Sequence, residues 1–569
     1  MIQQPKARTI FWLRAVFIAM LFIGWSRLVY LQVFRYDQLT LLSRFNFLRL
    51  IKINPPRGNI IDCHQTLLAT NRPVFLVYWQ GSGNRALSAH QCDLIRQLAT
   101  LLSFSITNIL VDNISNAERY QRKVLLAKDI SFAQISFIVE HLCYEPNILV
   151  TSDTQRHYPY QELASHVIGY LSAQNLDING KMGLEKIYEQ ELKGVPGLKK
   201  QTVNATGKAM SEEDFQQYVA GKTIQTTIDL ALQQFAEQSF DQNEVGSMIV
   251  MDPQTGALRV LLSRPSFNPE IFLRHISQEQ WNELQETHFF INRSCQACYP
   301  PASLFKLVTI AAALEHAVVC PETTRICPGY YVFHDRPYHC NNRTGHGLVD
   351  IKQSLAQSCN IIFFEIGKKI DIDIIADYAN RLGLGTKTGI IFPEKTGLIP
   401  SRAWKRLNKG ESWWQGETLS VAVGQSFLLV TPLQIARMLG AIDQGYLVKP
   451  RILEDEALER EPCSIQASTR AFLKKCMKEA IECGTGQQVR NIPDLTIYGK
   501  TGTAQITSLE RSNTTQDLRS HGWFVANFTY KDHAPLTLVI IVEHAGGSHK
   551  PAGIAKLFLK KYCKHIQNY

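Results

Sequence analysis

The sequence has no internal repeats and no low-complexity tracts, so we expect neither a repeat protein nor a disordered chain. Nucleic-acid-binding motifs are also missing, and the 60 lysines and arginines are scattered along the chain. The net charge of +10 therefore indicates a mildly basic, solvated surface, and no nucleic-acid partner is expected. Hydrophobic residues at 45% and charged residues at 19% are typical of a globular chain. Its 569 residues are too many for one core, which predicts two or three domains.

Charge is missing from residues 15–26 (AVFIAMLFIGWS), which form an apolar stretch near the N-terminus. The stretch is short for a membrane span, but apolar neighbours extend it if Arg14 and Arg27 reach the membrane interfaces. Three basic residues precede it, namely Lys6, Arg8 and Arg14. Because positive charge favours the cytoplasmic side, we expect a single anchor with the bulk of the chain outside the cytoplasm. A cleaved signal peptide is the alternative, since Gly24 and Ser26 are small and suitably spaced.

Residues 298–308 (CYPPASLFKLV) place a serine and a lysine three positions apart, directly after two prolines. The prolines end the preceding structure and few helix breakers follow, which predicts a helix that begins near Ser303. Residues three apart share a helix face, so the hydroxyl of Ser303 and the amine of Lys306 should touch. A serine needs a base to become a nucleophile, and apolar neighbours can lower the lysine pKa enough to supply one. The alternative is a helix-capping serine with a solvated lysine, because S-x-x-K alone occurs by chance.

Two further motifs follow in the order of a known catalytic signature, at residues 358–360 (SCN) and 500–503 (KTGT). Ser358 and Asn360 would flank the nucleophile, relay a proton and hold a substrate amide. The K-T-G segment would meet a substrate carboxylate, and its glycine permits close approach. Each motif alone could be a helix cap or a turn, but their joint occurrence by chance is improbable.

Two apolar segments predict strands near the third motif, LTIY at residues 495–498 and LTLVIIV at residues 536–542. The first leads directly into K-T-G. We therefore expect the third motif to lie on a sheet edge that faces the helix of Ser303.

Longer segments point to one family. The N-terminal anchor is followed by residues 54–71 (NPPRGNIIDCHQTLLATN), residues 180–197 (GKMGLEKIYEQELKGVPG) and the three motifs. This order resembles class B penicillin-binding proteins, the monofunctional peptidoglycan transpeptidases, over nearly the whole chain. Residues 345–360 and 415–439 look most like penicillin-binding protein 2, the cell-elongation subclass. The chain departs from the family at residues 62–65, where DCHQ replaces the common Asp-Arg-Asn-Gly, and by a cysteine in the middle of the S-x-N motif.

The resemblance implies three parts: a cytoplasmic tail and membrane anchor at 1–35, a non-catalytic pedestal of the dimerisation type at 36–222, and a transpeptidase domain at 223–569. The fold class is α+β, with a mostly antiparallel sheet covered by helices in the transpeptidase domain. The anchor would lie in the bacterial inner membrane and the catalytic domain in the periplasm. We find no segment for a glycosyltransferase module, so the resemblance implies a membrane glycosyltransferase partner together with cell-shape complex proteins.

The family's mechanism carries over to matching positions. Ser303 would attack the penultimate D-Ala of a D-Ala-D-Ala stem peptide, with Lys306 as general base, and a neighbouring stem peptide would then take the acyl group. A carboxypeptidase side activity is compatible with this acyl-enzyme. The backbone N–H groups of Ser303 and Thr503 would form the oxyanion hole, and Ser358 with Lys500 would pass the proton to the leaving amine. The substrate-binding residues would be Asn360, Thr501, Gly502 and Thr503. β-Lactams would acylate the same serine, and catalysis would need no cofactor.

Other functions remain open from the residues alone. A division-associated transpeptidase would share every motif. A membrane-bound β-lactamase or β-lactam sensor would share the acylation step, but a hydrolase needs a base for deacylation that we do not find. A non-catalytic scaffold in a wall-synthesis complex is a further alternative, against which the intact catalytic side chains argue.

The thirteen cysteines are an odd number, so they cannot all pair in an oxidising compartment. Three cysteines and a histidine lie between the serine helix and the middle motif and match the ligand set of a closed zinc site, namely Cys327, Cys340, His346 and Cys359. Some penicillin-binding protein 2 enzymes of Gram-negative bacteria carry a structural zinc near the active site, and these positions resemble its ligands with cysteine in place of aspartate. A Cys327–Cys340 disulfide or buried free thiols are the alternatives. Other possible ligands are Cys295, Cys298 and Cys320.

Overall fold

The computed structural model describes residues 7–174, 177–204, 209–274, 276–506 and 519–567, so Lys6 lies outside the described residues. The chain forms two compact units. The smaller unit consists of Met1–Arg57, Asn71–Gln155 and Lys193–Lys222. The larger unit consists of Gly58–Thr70, Arg156–Leu192 and Thr223–Tyr569. The units are interleaved along the chain, and the linear domain boundaries expected from the sequence stay predictions.

The smaller unit begins with the helix Ala7–Val29, which continues through a π-helical turn, Tyr30–Phe34. The stretch Ile10–Phe34 is long and apolar enough to cross a membrane, with a mean hydropathy of 1.7. Its apolar side chains are exposed, and Trp12 and Phe22 are each 65% accessible. A helix of a soluble protein would bury such side chains against a core. The helix therefore fits the single-pass membrane anchor predicted from the sequence.

The rest of the smaller unit combines helices with short antiparallel sheets. A three-stranded sheet pairs Leu48–Ile53 with Gly197–Val203, and the latter with Ala209–Gln216. The other strand that lies wholly in this unit is Lys123–Lys128. Its remaining helices are Tyr36–Phe47, Ala89–Leu102, Asn108–Tyr120 and Phe132–His141. The strands Leu67–Gln80 and Ile148–His157 each begin in one unit and end in the other.

The core of the larger unit is a five-stranded antiparallel sheet. Its strands in chain order are β1 (Gly246–Met251), β2 (Leu258–Arg264), β3 (Leu495–Ala504), β4 (His521–Tyr530) and β5 (Leu536–Val542). Their order across the sheet is β2-β1-β5-β4-β3, which makes β3 an edge strand. The predicted strand at residues 536–542, the edge position of the K-T-G strand and the α+β fold class are confirmed.

Helices cover both faces of this sheet, so its central strands are buried on both sides. In β1, Ile249 belongs to the same core as the helix Pro432–Gln444, whereas Met248 belongs to the same core as the C-terminal helix His549–Gln567. Successive side chains of a strand point to opposite faces, so neighbouring residues enter different cores. This explains why the strand sequences are continuously apolar rather than alternating.

The helix that carries the serine motif lies inside the first of these cores. A short 3₁₀ turn, Ala302–Leu304, leads into the helix Lys306–Glu315, which we call the serine helix. Its residues from Lys306 to Ala313 are all buried, whereas Ser303 is only partly buried. The predicted helix start near Ser303 is therefore confirmed, with a tighter first turn than expected.

The remaining elements of the larger unit surround the sheet and the serine helix. The other helices are Ser165–Ile168, Gly183–Ile187, Leu230–Glu237, Gln278–Glu286, Ile351–Ala356, Ile361–Lys369, Ile372–Arg381, Arg402–Lys409, Gln415–Ala422 and Ala467–Glu482. The other strands are Ile60–Ile61, Leu171–Gln174, Asp177–Gly180, Ile224–Gln225, Thr324–Cys327, Tyr330–Phe333, Arg336–His339, Gly347–Asp350, Tyr446–Val448 and Arg460–Pro462. The helix Glu189–Lys193 ends at the change of unit, and two further 3₁₀ turns are Pro269–Leu273 and Gln487–Val489.

Candidate active site

Ser303 is positioned by a close contact between two backbone segments. The preceding residue, Ala302, has a φ of 49°, and its N–H donates to the carbonyl of Gly424 at 3.0 Å. Gly424 itself has a φ of +83°, and a Cβ atom there would lie 1.9 Å from the carbonyl oxygen of Ala302. Only glycine fits at this position, because any side chain would displace the turn that presents Ser303.

The amine of Lys306 contacts all three residues of the S-x-N motif. Its Nζ donates to the carbonyl oxygens of Ser358 at 2.8 Å and Cys359 at 3.1 Å, and to Oδ1 of Asn360 at 2.8 Å. It also lies 3.4 Å from Oγ of Ser358. Burial lowers the pKa of Lys306 to about 8, although the thiols of Cys359 and Cys340 act in the opposite direction. At that pKa about a tenth of the amine is neutral at pH 7, enough for it to serve as a base.

Ser358 links the nucleophile to this amine. Its Oγ donates to Oγ of Ser303 at 2.7 Å, and the same oxygen accepts from Nζ of Lys306. We expected a direct contact between Ser303 and Lys306, but the described residues form no such hydrogen bond. The amine points instead toward the backbone at the end of the middle motif, and the hydroxyl of Ser358 completes the connection.

The third motif approaches the serine helix from the sheet edge. Lys500 is fully buried, and its Nζ donates to the carbonyl of Thr501 at 3.1 Å. Burial and the charge of Lys306 hold the pKa of Lys500 well below its usual range. A Cβ atom on Gly502 would lie 3.4 Å from Cγ of Leu304, an ordinary contact distance, so the strand lies directly against the serine turn. The structure therefore brings both lysines to one site.

The amide and hydroxyl groups predicted to bind substrate have defined places. Oδ1 of Asn360 accepts from Lys306, and its Nδ2 donates to the carbonyl of His339 at 3.0 Å. Thr503 is exposed, as expected of a substrate contact. Thr501 is buried, and its hydroxyl makes a 2.5 Å hydrogen bond with the hydroxyl of Thr485.

Sequence reasoning missed three residues of this site. Thr485 contacts the K-T-G threonine, Gly424 supports the serine turn, and Gln425 lies 3.5 Å from the carbonyl of Thr503 through its Nε2. A signal was present for Thr485, because residues 483–486 (CGTG) form a glycine-rich turn directly after a helix. Gly424 and Gln425 carry no local signal of this kind. Their segment stood out in the sequence only through its resemblance to the family.

The four predicted zinc ligands come together beside the middle motif. Their ligand atoms all lie within 4.8 Å of one another. Sγ of Cys327 and Sγ of Cys340 lie 3.4 and 3.5 Å from Nδ1 of His346, and the thiols of Cys340 and Cys359 lie 3.8 Å apart. A tetrahedral zinc separates its sulfur and nitrogen ligands by roughly 3.3 to 3.8 Å, so the group has suitable dimensions.

Two thiols of this cysteine and histidine group, those of Cys340 and Cys359, have shifted pKa values. The hydrogen bond with Cys359, N–H groups of nearby backbone and the proximity of His346 lower the pKa of Cys340 below its usual range. The same pairing and burial raise the pKa of Cys359. All thirteen cysteines are unpaired in the structure, so the alternative Cys327–Cys340 disulfide is not formed there. The competing ligands Cys295, Cys298 and Cys320 lie outside the group as the described residues define it.

Known families and relatives match nearly the whole chain. Residues 246–560 match the family "Penicillin binding protein transpeptidase domain", and residues 52–226 match "Penicillin-binding Protein dimerisation domain". The peptidoglycan D,D-transpeptidase MrdA of Haemophilus influenzae is 29% identical, covering 94% of this chain and 88% of that protein. MrdA of Escherichia coli K12 is 26% identical, covering 93% of this chain and 89% of that protein.

Solved structures give the same result. The chain is similar to penicillin-binding protein 2 of Helicobacter pylori in complex with MreC, with a TM-score of 0.78, 27% identity, and coverage of 92% of this chain and 100% of that one. A chain from a peptidoglycan synthase complex that coordinates polymerization and crosslinking matches with a TM-score of 0.76 and 27% identity, covering 98% of this chain and 99% of that one.

Proposed function

The chain belongs to the penicillin-binding protein transpeptidase family, and on that basis we propose that it cross-links peptidoglycan stem peptides as the D,D-transpeptidase of cell elongation. The observation that carries this proposal is the hydrogen-bonded path from Ser303 through Ser358 to Lys306. Similarity to MrdA proteins and to penicillin-binding protein 2 along nearly the whole chain favours the elongation role over the septal one.

Acylation begins at the partly buried hydroxyl of Ser303. It attacks the carbonyl of the penultimate D-Ala, and its proton passes toward the neutral amine of Lys306 by way of Ser358. Hydroxyl groups rotate, so the same path carries a proton in either direction. The backbone N–H groups of Ser303 and Thr503 stabilise the negative charge on the carbonyl oxygen, and they are fixed beforehand by the 3₁₀ turn and strand β3.

The leaving amine of the terminal D-Ala takes its proton by way of Ser358 and Lys500. Thr501 and Thr503 bind the terminal carboxylate, beside the amine of Lys500, and Asn360 binds a backbone amide of the donor. A stem-peptide amine of a neighbouring strand then attacks the ester and completes the cross-link. β-Lactams take the place of the donor and acylate the same serine. These steps use side chains and backbone groups alone.

The zinc ligand group has a structural role in this proposal. A zinc ion would be held by Cys327, Cys340, His346 and Cys359. It would supply no chemistry to acyl transfer and would only link the segments that carry its ligands. The N–H of Asn360 donates to Sγ of Cys340 at 3.3 Å, so the ligand group is also bonded directly to the middle motif. The group therefore fixes the backbone that carries Ser358 and Asn360.

The N-terminal helix leads to a proposal about location and partners. The basic residues ahead of Ile10–Phe34 favour a cytoplasmic N-terminus, and we propose that the larger unit lies in the periplasm next to its substrate. We propose a membrane glycosyltransferase and a cell-shape protein as partners, since solved relatives were obtained in a peptidoglycan synthase complex and with MreC.

Covalent labelling with a fluorescent penicillin tests the catalytic assignment. The full chain should form one labelled adduct on Ser303, and Ser303→Ala should abolish it with the fold intact. Ser468→Ala, at an exposed position in the first turn of the helix Ala467–Glu482, is the matched control and should label normally. An adduct of Ser303→Ala protein on another serine would show that the nucleophile is assigned wrongly.

A further inference from the structure

One segment that departs from the family pattern shares no residue with the active site. At residues 62–65 the chain carries DCHQ, which supplies a thiol and an imidazole at consecutive positions. The fold brings both side chains to Asp229, and the ligand atoms of Cys63, His64 and Asp229 lie within 4.8 Å of one another. Nothing in acyl transfer uses these three groups. All three belong to the larger unit.

The turn that carries the thiol and the imidazole is held rigidly. Asp62 is buried, and its Oδ1 accepts from the N–H groups of His64 at 2.9 Å and Thr66 at 2.7 Å. The N–H of Cys63 donates to the carbonyl of Ile228 at 2.9 Å. The backbone that carries both side chains is therefore fixed before any ligand binds, which lowers the entropic cost of binding one.

Asp229 divides its carboxylate between two tasks. Oδ1 accepts from the N–H of Leu232 at 3.0 Å and caps the helix Leu230–Glu237. Oδ2 points the other way and lies 3.3 Å from Nε2 of His64. The second oxygen is therefore directed at the imidazole and the thiol while the first keeps the helix capped.

We propose that Cys63, His64 and Asp229 form a second metal site, which binds a divalent transition metal of the zinc type. A thiolate, a neutral imidazole and a carboxylate are all zinc ligands, and their combined charge of about −2 cancels the charge of the ion. The side chain of His64 is 70% exposed, so the ion is accessible from solvent and keeps a coordination position for water. An ordinary surface ion pair between His64 and Asp229 contributes little and leaves the adjacent thiol without a role.

The bound ion connects the turn at residues 62–66 to the start of the helix Leu230–Glu237. These segments are more than 150 positions apart in the sequence, and the ion acts as a cross-link between them. Because the ligands come together only in the folded chain, the metal stabilises the folded state by mass action. The site is separate from Cys327, Cys340, His346 and Cys359, and the two groups share no ligand.

Metal content of the full chain tests the proposal. Protein purified without chelator and equilibrated with Zn²⁺ is dialysed, and its zinc is measured by elemental analysis. His64→Gln should bind one zinc fewer per chain than the parent, and Cys63→Ser should lose the same ion. Cys92→Ser, which removes a half-buried thiol elsewhere, should bind as many as the parent. The comparison uses the difference between proteins, so it does not depend on how many ions the other group holds.

Co²⁺ absorption identifies the ligands. The parent should show a thiolate-to-cobalt charge-transfer band. In Cys63→Ser protein the intensity of this band should fall by the amount that one thiolate ligand contributes. His64 is exposed, so His64→Gln protein is expected to fold. If Cys63→Ser protein does not fold, the zinc content of His64→Gln protein still decides the test. Equal zinc content in parent and His64→Gln protein, or a cobalt spectrum that Cys63→Ser leaves unchanged, overturns the proposal.

Discussion

One amine, that of Lys306, contacts every residue of the S-x-N motif, and its environment decides what it can do. Its four oxygen neighbours fix its position, and burial brings its pKa close to the working range of the enzyme. The sequence predicted the pairing of serine and lysine from their spacing. It could not predict that Ser358 stands between them, because that contact joins residues 55 positions apart.

We predict that Lys306→Ala slows acylation by on the order of 10²- to 10⁴-fold, because it removes the base that acts as the barrier is crossed. Binding of the intact β-lactam should change far less. Stopped-flow kinetics with a chromogenic β-lactam separates the two constants. Lys352→Ala, which removes a partly exposed lysine of the helix Ile351–Ala356, is the control. Unchanged acylation in Lys306→Ala protein would contradict the role of base.

Thr485 gives a second prediction at this scale. Its hydroxyl bonds to that of Thr501, so Thr485→Val should leave the K-T-G hydroxyl less well oriented and lower the acylation rate by about fivefold to tenfold, the equivalent of one hydrogen bond. Thr100→Val is the control, because that hydroxyl bonds only within its own helix. A rate equal to that of the parent would show that Thr485 does not position Thr501.

At the scale of elements, two antiparallel hairpins, a short one nested inside a wider one, bring the cysteine and histidine group to the middle motif. Thr324–Cys327 pairs with Gly347–Asp350, and Tyr330–Phe333 pairs with Arg336–His339. Spacing alone predicted the four ligands only weakly, since their separations are looser than in a zinc finger. The hairpins supply the missing constraint, because they fold the intervening chain back and bring distant ligands together.

Removal of zinc should therefore lower the melting temperature and the acylation rate together. Mass action gives a stabilisation of about 2.7 kcal/mol when the free metal is at 100 times its dissociation constant. Cys327→Ser should reproduce both losses without chelator, whereas Cys483→Ser, an exposed free cysteine, should reproduce neither. Differential scanning calorimetry and penicillin acylation are measured on the same samples. Less than a few tenths of a zinc per chain in parent protein would contradict the site.

Gly424 and the serine turn illustrate what sequence patterns cannot reveal. The helix start and the strands followed from proline, glycine and apolar periodicity, all of which are local signals. The contact of Gly424 with Ala302 is not local, because it joins residues 122 positions apart in the chain. Glycine is required at position 424 because the backbone of Ala302 lies so close, and nothing in the sequence around Gly424 indicates this.

For the whole molecule, the two compact units do not follow chain order. Gly58–Thr70 and Arg156–Leu192 belong to the larger unit, although the sequence groups them with the pedestal. Hydrophobic pattern and turn residues identify strands but not the strands that pair with them. These local patterns therefore cannot predict that a segment belongs to a unit formed mainly by distant parts of the chain. The α+β class and the antiparallel sheet were predictable through the family resemblance, and the edge position of the K-T-G strand was predictable from the apolar segments near it.

Stability of the larger unit should depend on pH through His166. This histidine is buried, and burial together with the charge of Arg293 lowers its pKa to about 4, even though its Nε2 donates to the carbonyl of Phe289. The unfolded chain takes up the proton near pH 6.5 and the folded chain only near pH 4. Folding stability from this group is thus complete above about pH 6.5 and falls as the pH is lowered toward 4, by roughly 2 kcal/mol at pH 5.

Thermal unfolding at pH 7.5 and pH 5.0 measures this effect. The parent should lose more stability between the two values than His166→Gln, which has no titrating group at this position. His141→Gln replaces an exposed histidine and should behave like the parent. Identical pH dependence in parent and His166→Gln protein would contradict the assignment.

The double burial of the central sheet also controls the chemistry at its edge. Lys500 pairs with Val525 in strand β4, whose neighbour Phe524 enters the opposite core. A slip of one position, about 3.4 Å, would exchange the faces of every side chain in strand β3 and turn the amine away from the serine. Apolar side chains in the two cores therefore fix the position of a catalytic amine. The strands therefore tolerate only exchanges that preserve which core each residue enters.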